Sequence, residues 1–175
     1  MDIEVEIRSF ISKEKYNELL EFMQKNAKLI KKDNQITYYF SGGHDLRIQK
    51  NNFFSKIWLK SGKIHDPHRK EIEVKFEKEK FEQLEKLFLS LGYKTDIKWF
   101  RKRNLFNWNN INVAIDFTKG YGYIIELEKM SDEKDKEQVY EFLKNKLLEL
   151  GVELTPKEEF DKKFKHYKEN WKKLT

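Results

Sequence analysis

The chain opens MDIEVEIRSF (residues 1–10). Ile3, Val5 and Ile7 alternate with Glu4, Glu6 and Arg8, a period of two that predicts a β-strand with one apolar and one charged face. Two carboxylates then share a face about 7 Å apart, with a guanidinium one step further on. Converging carboxylate oxygens suit a divalent cation, and an arginine suits phosphate. An amphipathic strand with its polar side in water would carry the same residues, so the weight of the pattern depends on whether it recurs.

It recurs down the chain. HDLRIQK (44–50) sets Asp45, Arg47 and Gln49 against Leu46 and Ile48, and IWLK (57–60) puts Lys60 on the face of Trp58. RKEIEVKF (69–76) places Arg69, Glu71 and Glu73 opposite Ile72 and Val74. WFRKRNLF (99–106) offers Arg101 and Arg103, VAIDF (113–117) offers Asp116, and YIIELE (123–128) offers Glu126 and Glu128. Between these lie amphipathic helical stretches. One runs from an N-cap at Ser12 to about Asn26, with Tyr16, Leu19, Leu20 and Met23 on one face. A second spans 78–91 and closes at Gly92; a third spans 132–149 and ends at Gly151. A last one begins near Pro156, with Thr155 and Glu158 spaced as a capping box. Gly120 and Gly122 flank Tyr121 at a hairpin turn.

The helices can cover the apolar sides of the strands, which leaves the charged sides to look elsewhere. An open sheet turns them to water. A sheet curled into a barrel encloses them, and acids and bases facing one another there must be paired or ligated. Such an interior would have carboxylates for Mg²⁺ or Mn²⁺ and basic residues for a polyanion, which suits a triphosphate with its metal.

Composition sets the outer bounds. With 175 residues the expectation is one domain, 1–175. The 38% apolar content equals the charged content, so the 14 Phe, 8 Tyr and 4 Trp must supply much of the core. The absence of cysteine excludes disulfides, thiolate metal sites and a cysteine nucleophile. No apolar run is long enough to span a bilayer and charge begins at Asp2, so no membrane partner and a cytoplasmic location are expected. The net charge of +6 favours an anionic partner, but much of the excess is lysine on a solvated C-terminal helix, which ranks nucleic acid second. His44, His65, His68 and His166 show no ligand spacing.

Taken in order, these pieces resemble the CYTH superfamily, the triphosphate tunnel metalloenzymes. EVEIR (4–8) looks like its ExExK signature. TYYF with LRIQ, the WLK strand, the REIEV-like strand, Arg101 and Arg103 before Phe106, and VAIDFTKGYGYIIELE (113–128) follow in the family's order. The match runs from about residue 2 to 170. The resemblance implies an α+β fold, an eight-stranded antiparallel β-barrel forming a triphosphate tunnel with helices packed outside. It implies Glu4, Glu6, Asp116, Glu126 and Glu128 as ligands of Mg²⁺ or Mn²⁺. Arg8, Arg47, Lys60, Arg101 and Arg103 would hold phosphate, with Lys60 and Arg8 as the catalytic pair and Glu71 and Glu73 balancing charge. The substrate would be tripolyphosphate, ATP or thiamine triphosphate; a homodimer stays open.

The expected chemistry is metal-dependent triphosphate hydrolysis, with class IV adenylate cyclisation of ATP as the alternative. A non-catalytic nucleotide, polyphosphate or RNA-binding module is the reading from another class. Three departures bear on activity. Arg8 replaces the signature lysine and cannot act as a base near neutral pH, which leaves Lys60 or water activated by the metal. Gln49 stands where many triphosphatases have a second arginine, and Thr37 where an aspartate is common.

Overall fold

The computed structural model describes residues 3–42, 44–60 and 71–175, with the side chains of Lys60 and Glu71 outside that description. Strand β1 (Ile3–Ile11) leads into helix α1 (Lys13–Asn26), then β2 (Lys28–Phe40), β3 (Asp45–Lys50), β4 (Ser55–Lys60) and β5 (Glu71–Phe76). Helix α2 (Phe81–Ser90) follows, then β6 (Thr95–Trp108), β7 (Ile111–Thr118), β8 (Gly122–Ser131), α3 (Lys136–Glu149) and α4 (Lys157–Leu174). All eight strands form one antiparallel sheet in the order β1-β8-β7-β6-β2-β3-β4-β5. Hydrogen bonding leaves β1 and β5 as its two ends, and the curled sheet fits the expected tunnel architecture.

Register fixes what each face carries, because residues directly opposite on antiparallel strands share a face. Glu6 faces Glu128, Arg8 faces Glu126, Arg103 faces Asp116, and Gln35 faces Arg101. Thr37 faces Gln49, Arg47 faces Trp58, and Trp58 faces Glu73. One polar face therefore runs without interruption across the sheet. The other face is apolar. Val5, Ile7, Val113, Ile115, Ile125 and Leu127 pack against Leu19 and Met23 of α1 and Leu143 and Leu147 of α3. A second cluster puts Ile48 and Phe40 against Phe81 and Phe88 of α2. Burial of these side chains, at about 25 cal/mol per Å² of apolar area, is what holds the helices to the outside.

The caps follow the sequence, with one exception. Ser12 accepts from the Lys15 amide and starts α1. Gly92 and Gly151, at φ +89° and +69°, close α2 and α3 through Tyr93 N–H to Phe88 and Val152 N–H to Leu147. The capping box expected at Thr155 is not formed, because its hydroxyl accepts from the Phe10 amide at 3.0 Å. Ser9 completes that seam: its hydroxyl donates to the Glu153 carbonyl (2.6 Å) and accepts from the Thr155 amide (2.7 Å). Residues 132–135 form a turn on Asp132 Oδ1, so α3 starts later than the apolar periodicity suggests.

From this seam α4 crosses one end of the concave polar face. Phe160 stacks on Phe10 (centroids 4.4 Å apart), Phe164 approaches Tyr39 and Trp99, and Tyr167 packs on Trp99 and Tyr121. Tyr167 Oη donates to the Lys98 carbonyl and Trp171 Nε1 to that of Asp96, both at 2.8 Å. The aromatic and basic residues of this segment are thus the two sides of an amphipathic helix. Among the described residues no helix is long and apolar enough to cross a membrane.

Candidate active site on the concave face

The polar face has an acidic wall and a basic wall. The acidic wall comes from β1 and β8, where Glu4 and Glu6 stand beside Glu126 and Glu128. Glu4 and Glu6 are open to solvent. The Glu6 carboxyl is raised to about 7, first by the neighbouring Glu126 carboxylate, then by loss of solvation and by Glu4, against Arg8 and Arg103. Asn112 donates to Glu128 Oε1 at 3.3 Å.

The basic wall starts on β6. Arg103 donates from Nε to both oxygens of Asp116 (3.1 and 3.0 Å) and from Nη2 to Glu126 Oε1 (2.8 Å). Arg101 donates from Nε to Gln35 Oε1 (2.9 Å) and lies 3.5 Å from Asp116. Asp116 is 3% exposed, and burial pushes its carboxyl up against the pull of the two arginines. Burial opposes the Glu126 charge too, but Arg103, Arg101 and Arg8 outweigh it and hold that carboxyl below its ordinary value. Burial also works against the Arg103 charge, and Glu126 and Asp116 more than offset it.

The wall continues on β2 to β5. Arg47 donates to both oxygens of Asp45 at 2.6 Å and lies over the Tyr39 ring at 4.3 Å. Lys56 reaches Glu73 at 2.6 Å, with Lys75 at 3.4 Å from the same carboxylate. Burial raises the Glu73 carboxyl, and the two lysines more than reverse this and hold it low. Arg8 sits 4.6 Å from the Phe160 ring, where α4 meets the face.

Every candidate read from the sequence whose side chain is described therefore lies on this one face. Lys60 and Glu71 are paired with each other in backbone register on the same side, but their side chains lie outside the described residues, as do Arg69, His65 and His68. Asp116 lies against Arg101 and Arg103, and Arg103 links it to Glu126 of the acidic wall. Thr37 and Gln49, the two neutral departures, are cross-strand partners: Gln49 Nε2 donates to Thr37 Oγ1 at 2.9 Å, and both are buried.

Several concave-face residues escaped the sequence reading. Lys31 Nζ lies 3.0 Å from Asp33, and Gln35 links Asp33 to Arg101. Their period-two spacing was present in KKDNQ, but Lys32 and Asn34 between them are polar as well, so no apolar alternation marks the strand.

Among the described residues, no three carboxylate or imidazole side chains already converge as a coordination sphere. The donor set nevertheless fits a hard divalent cation. It is all oxygen, and the upward displacement of Glu6 by Glu126 marks like charges crowded on adjoining strands.

An eight-stranded curled sheet with charge gathered on its concave face, α1 to α3 outside and α4 across one end defines the tunnel class of proteins. The CYTH domain model matches residues 2–164, and the chain belongs to the CYTH family. The Methanocaldococcus jannaschii protein named "Putative adenylate cyclase MJ0240" is 34% identical over 165 residues, covering 86% of this chain and 90% of that one. The solved PH1819 protein of Pyrococcus horikoshii superposes with a TM-score of 0.71 at 24% identity, over 86% of this chain and 92% of the other. The Hippeastrum protein HpAC1, described as a "putative adenylyl cyclase" with "a dominant" triphosphatase activity, superposes at 0.65 with 19% identity, over 89% and 91%.

Proposed function

We propose that this chain is a divalent-metal-dependent enzyme that hydrolyses a triphosphate within the charged channel. The observation that carries the reading is the adjacency of an acidic wall on β1 and β8 to an arginine pair on β6, on a face shielded at one end by an aromatic helix. Glu4, Glu6, Glu126 and Glu128 would hold Mg²⁺ or Mn²⁺. When bound, the ion supplies charge neutralisation and Lewis-acid polarisation of the phosphoryl group. Arg8, Arg101 and Arg103 grip phosphate oxygens, and Arg47 and Lys60 extend the grip along β3 and β4. Asp116 orients the two arginines, joining the ligand set only by releasing them. Water attacks a phosphorus, the P–O bond to the rest of the chain breaks, and the leaving phosphate carries off the electron pair. The Arg8 guanidinium would stabilise that developing charge, and Lys60 would take the proton from water.

Cyclisation of ATP is the second reading, favoured by the name of the M. jannaschii relative at 34% identity. There the ribose 3′-hydroxyl attacks the α-phosphorus and pyrophosphate leaves. Incubation with tripolyphosphate and with ATP, each with Mg²⁺ or Mn²⁺, separates the two: orthophosphate marks hydrolysis, cyclic AMP with pyrophosphate marks cyclisation. Turnover of neither, or binding that survives both EDTA and the Glu4→Ala/Glu6→Ala double variant, refutes the metal-enzyme reading.

A further inference from the structure

The Trp58 indole stands on the concave face, opposite Arg47 on one side and Glu73 on the other. Its side chain is 5% exposed, and among the described residues its Nε1–H meets no acceptor. It is the one buried side-chain nitrogen or oxygen so left among them. Other buried polar side chains of the face are matched, as Thr37 is with Gln49 and Asp116 with Arg103. A buried donor without a partner costs stability, so its persistence calls for a reason.

The surroundings supply one. Lys56 Nζ lies 4.3 Å from the centre of the Trp58 ring and Arg47 Cζ lies 5.7 Å from it. An indole N–H can only donate, and neither cation can accept. The carboxylates nearby are already engaged, Asp45 by Arg47 in two bonds and Glu73 by Lys56 and Lys75. A donor-only group flanked by positive charge suits an anionic oxygen brought in from outside.

We infer that Trp58 Nε1–H donates to a phosphate oxygen of the bound substrate, adding a neutral donor on β4 to the cationic grip. The inference rests on the proposed function and deepens it. Lys56 Nζ, over the ring face and bonded to Glu73, is close enough to pair with the same phosphate. Trp58 acts as a binding residue and takes no part in proton transfer.

Titration of tripolyphosphate with Mn²⁺ by calorimetry, on the full chain and on Trp58→Phe, tests this. Phenylalanine keeps an aromatic ring and removes the donor. The variant should bind about tenfold more weakly, as loss of a hydrogen bond to a charged acceptor implies, while its melting temperature without ligand is unchanged or higher. A second readout uses the unsubstituted protein. Of its four indole N–H resonances in a proton–nitrogen NMR spectrum, that of Trp58 should shift on adding tripolyphosphate with Mg²⁺. That of Trp171, already donated to Asp96, should stay in place. Equal affinity of the two proteins overturns the inference, as does an affinity loss with the Trp58 resonance unmoved, which would mark a packing role. If the unsubstituted protein fails to bind tripolyphosphate, the proposed function falls first and this inference with it. If Trp58→Phe does not fold, the NMR readout decides alone.

Discussion

Replacing Arg103 with methionine removes a charge that three hydrogen bonds hold between Asp116 and Glu126, while keeping most of the side-chain length. Two carboxylates are then left together on the concave face, one of them almost wholly buried. Breaking a buried ion pair by deleting one partner costs about 3–5 kcal/mol. The lower end applies here, about 3 kcal/mol, because the Arg103 side chain retains 22% exposure and water can reach part of the gap. For a chain of this length that corresponds to a fall in melting temperature of about 6–12 °C.

The pH dependence carries the sharper test. Without Arg103, the Glu126 pKa rises and that of Asp116, already raised by burial, rises further, so the folded form binds more protons than the unfolded one. Stability then falls as pH increases, and the deficit against the unsubstituted protein should be smaller at pH 5.5 than at pH 8. Urea unfolding followed by tryptophan fluorescence at both pH values measures it. A loss under about 1 kcal/mol, or the same loss at both pH values, would mean that the arginine is a solvated surface charge and that the picture of an enclosed ionic set is wrong.

Glu6, raised to about 7, must lose its proton to bind a cation, so Mn²⁺ affinity measured calorimetrically should climb between pH 6 and 8 and level off above; equal affinity throughout would contradict the crowding of Glu6 by Glu126. Because its folded pKa lies above the unfolded one, Glu6 contributes stability that is full below about pH 4.5 and is lost as pH rises through about 7; Glu6→Gln should flatten that slope in thermal melts. Ser9→Ala leaves the Glu153 carbonyl and the Thr155 amide without their buried partner, and should cost about 1–3 kcal/mol in urea unfolding. Gly120→Ala would place a Cβ 2.6 Å from Leu174 Cβ at a φ of +73°; the end of α4 should detach, seen as faster C-terminal proteolysis, whereas unchanged cleavage would show that the contact is slack.

Strand β1 was legible because apolar and charged residues alternate from Ile3 to Arg8, and a shorter alternation marks Ile125 to Glu128 of β8. In strand β2 the β-branched and aromatic residues that favour a strand gather at its ITYYF end. Where Lys31, Asp33 and Gln35 join the site, both faces of the strand are polar and the period vanishes. The capping box failed for a tertiary reason, since Thr155 spends its hydroxyl on Phe10, 145 residues away. No local pattern could announce that, nor the meeting of Gln49 with Thr37. As separate departures from the expected pattern those two residues weakened the reading of the site. As neighbours they form one neutral pair where the resemblance implied an ionic one, a joint replacement that leaves the sheet satisfied and takes no charge from Arg101 or Arg103.

The same pairing bears on how the channel works. Between Thr37–Gln49 and the mouth shielded by α4, the concave face carries Tyr39, Trp99 and Phe10 under Phe160 and Phe164. Aromatic rings are therefore gathered at that end, where Arg47 holds Asp45 beside Tyr39. Arg8 marks the border, with the Phe160 ring 4.6 Å away on one side and Glu126 opposite it in register. The aromatic end keeps cations of its own, with Lys163 Nζ 3.9 Å from the Phe10 ring and Arg47 Cζ 4.3 Å from the Tyr39 ring. The other end carries Lys31, Lys56 and Lys75. The two ends of the face therefore differ in aromatic cover more than in the presence of positive charge, and the arginine pair on β6 lies between them.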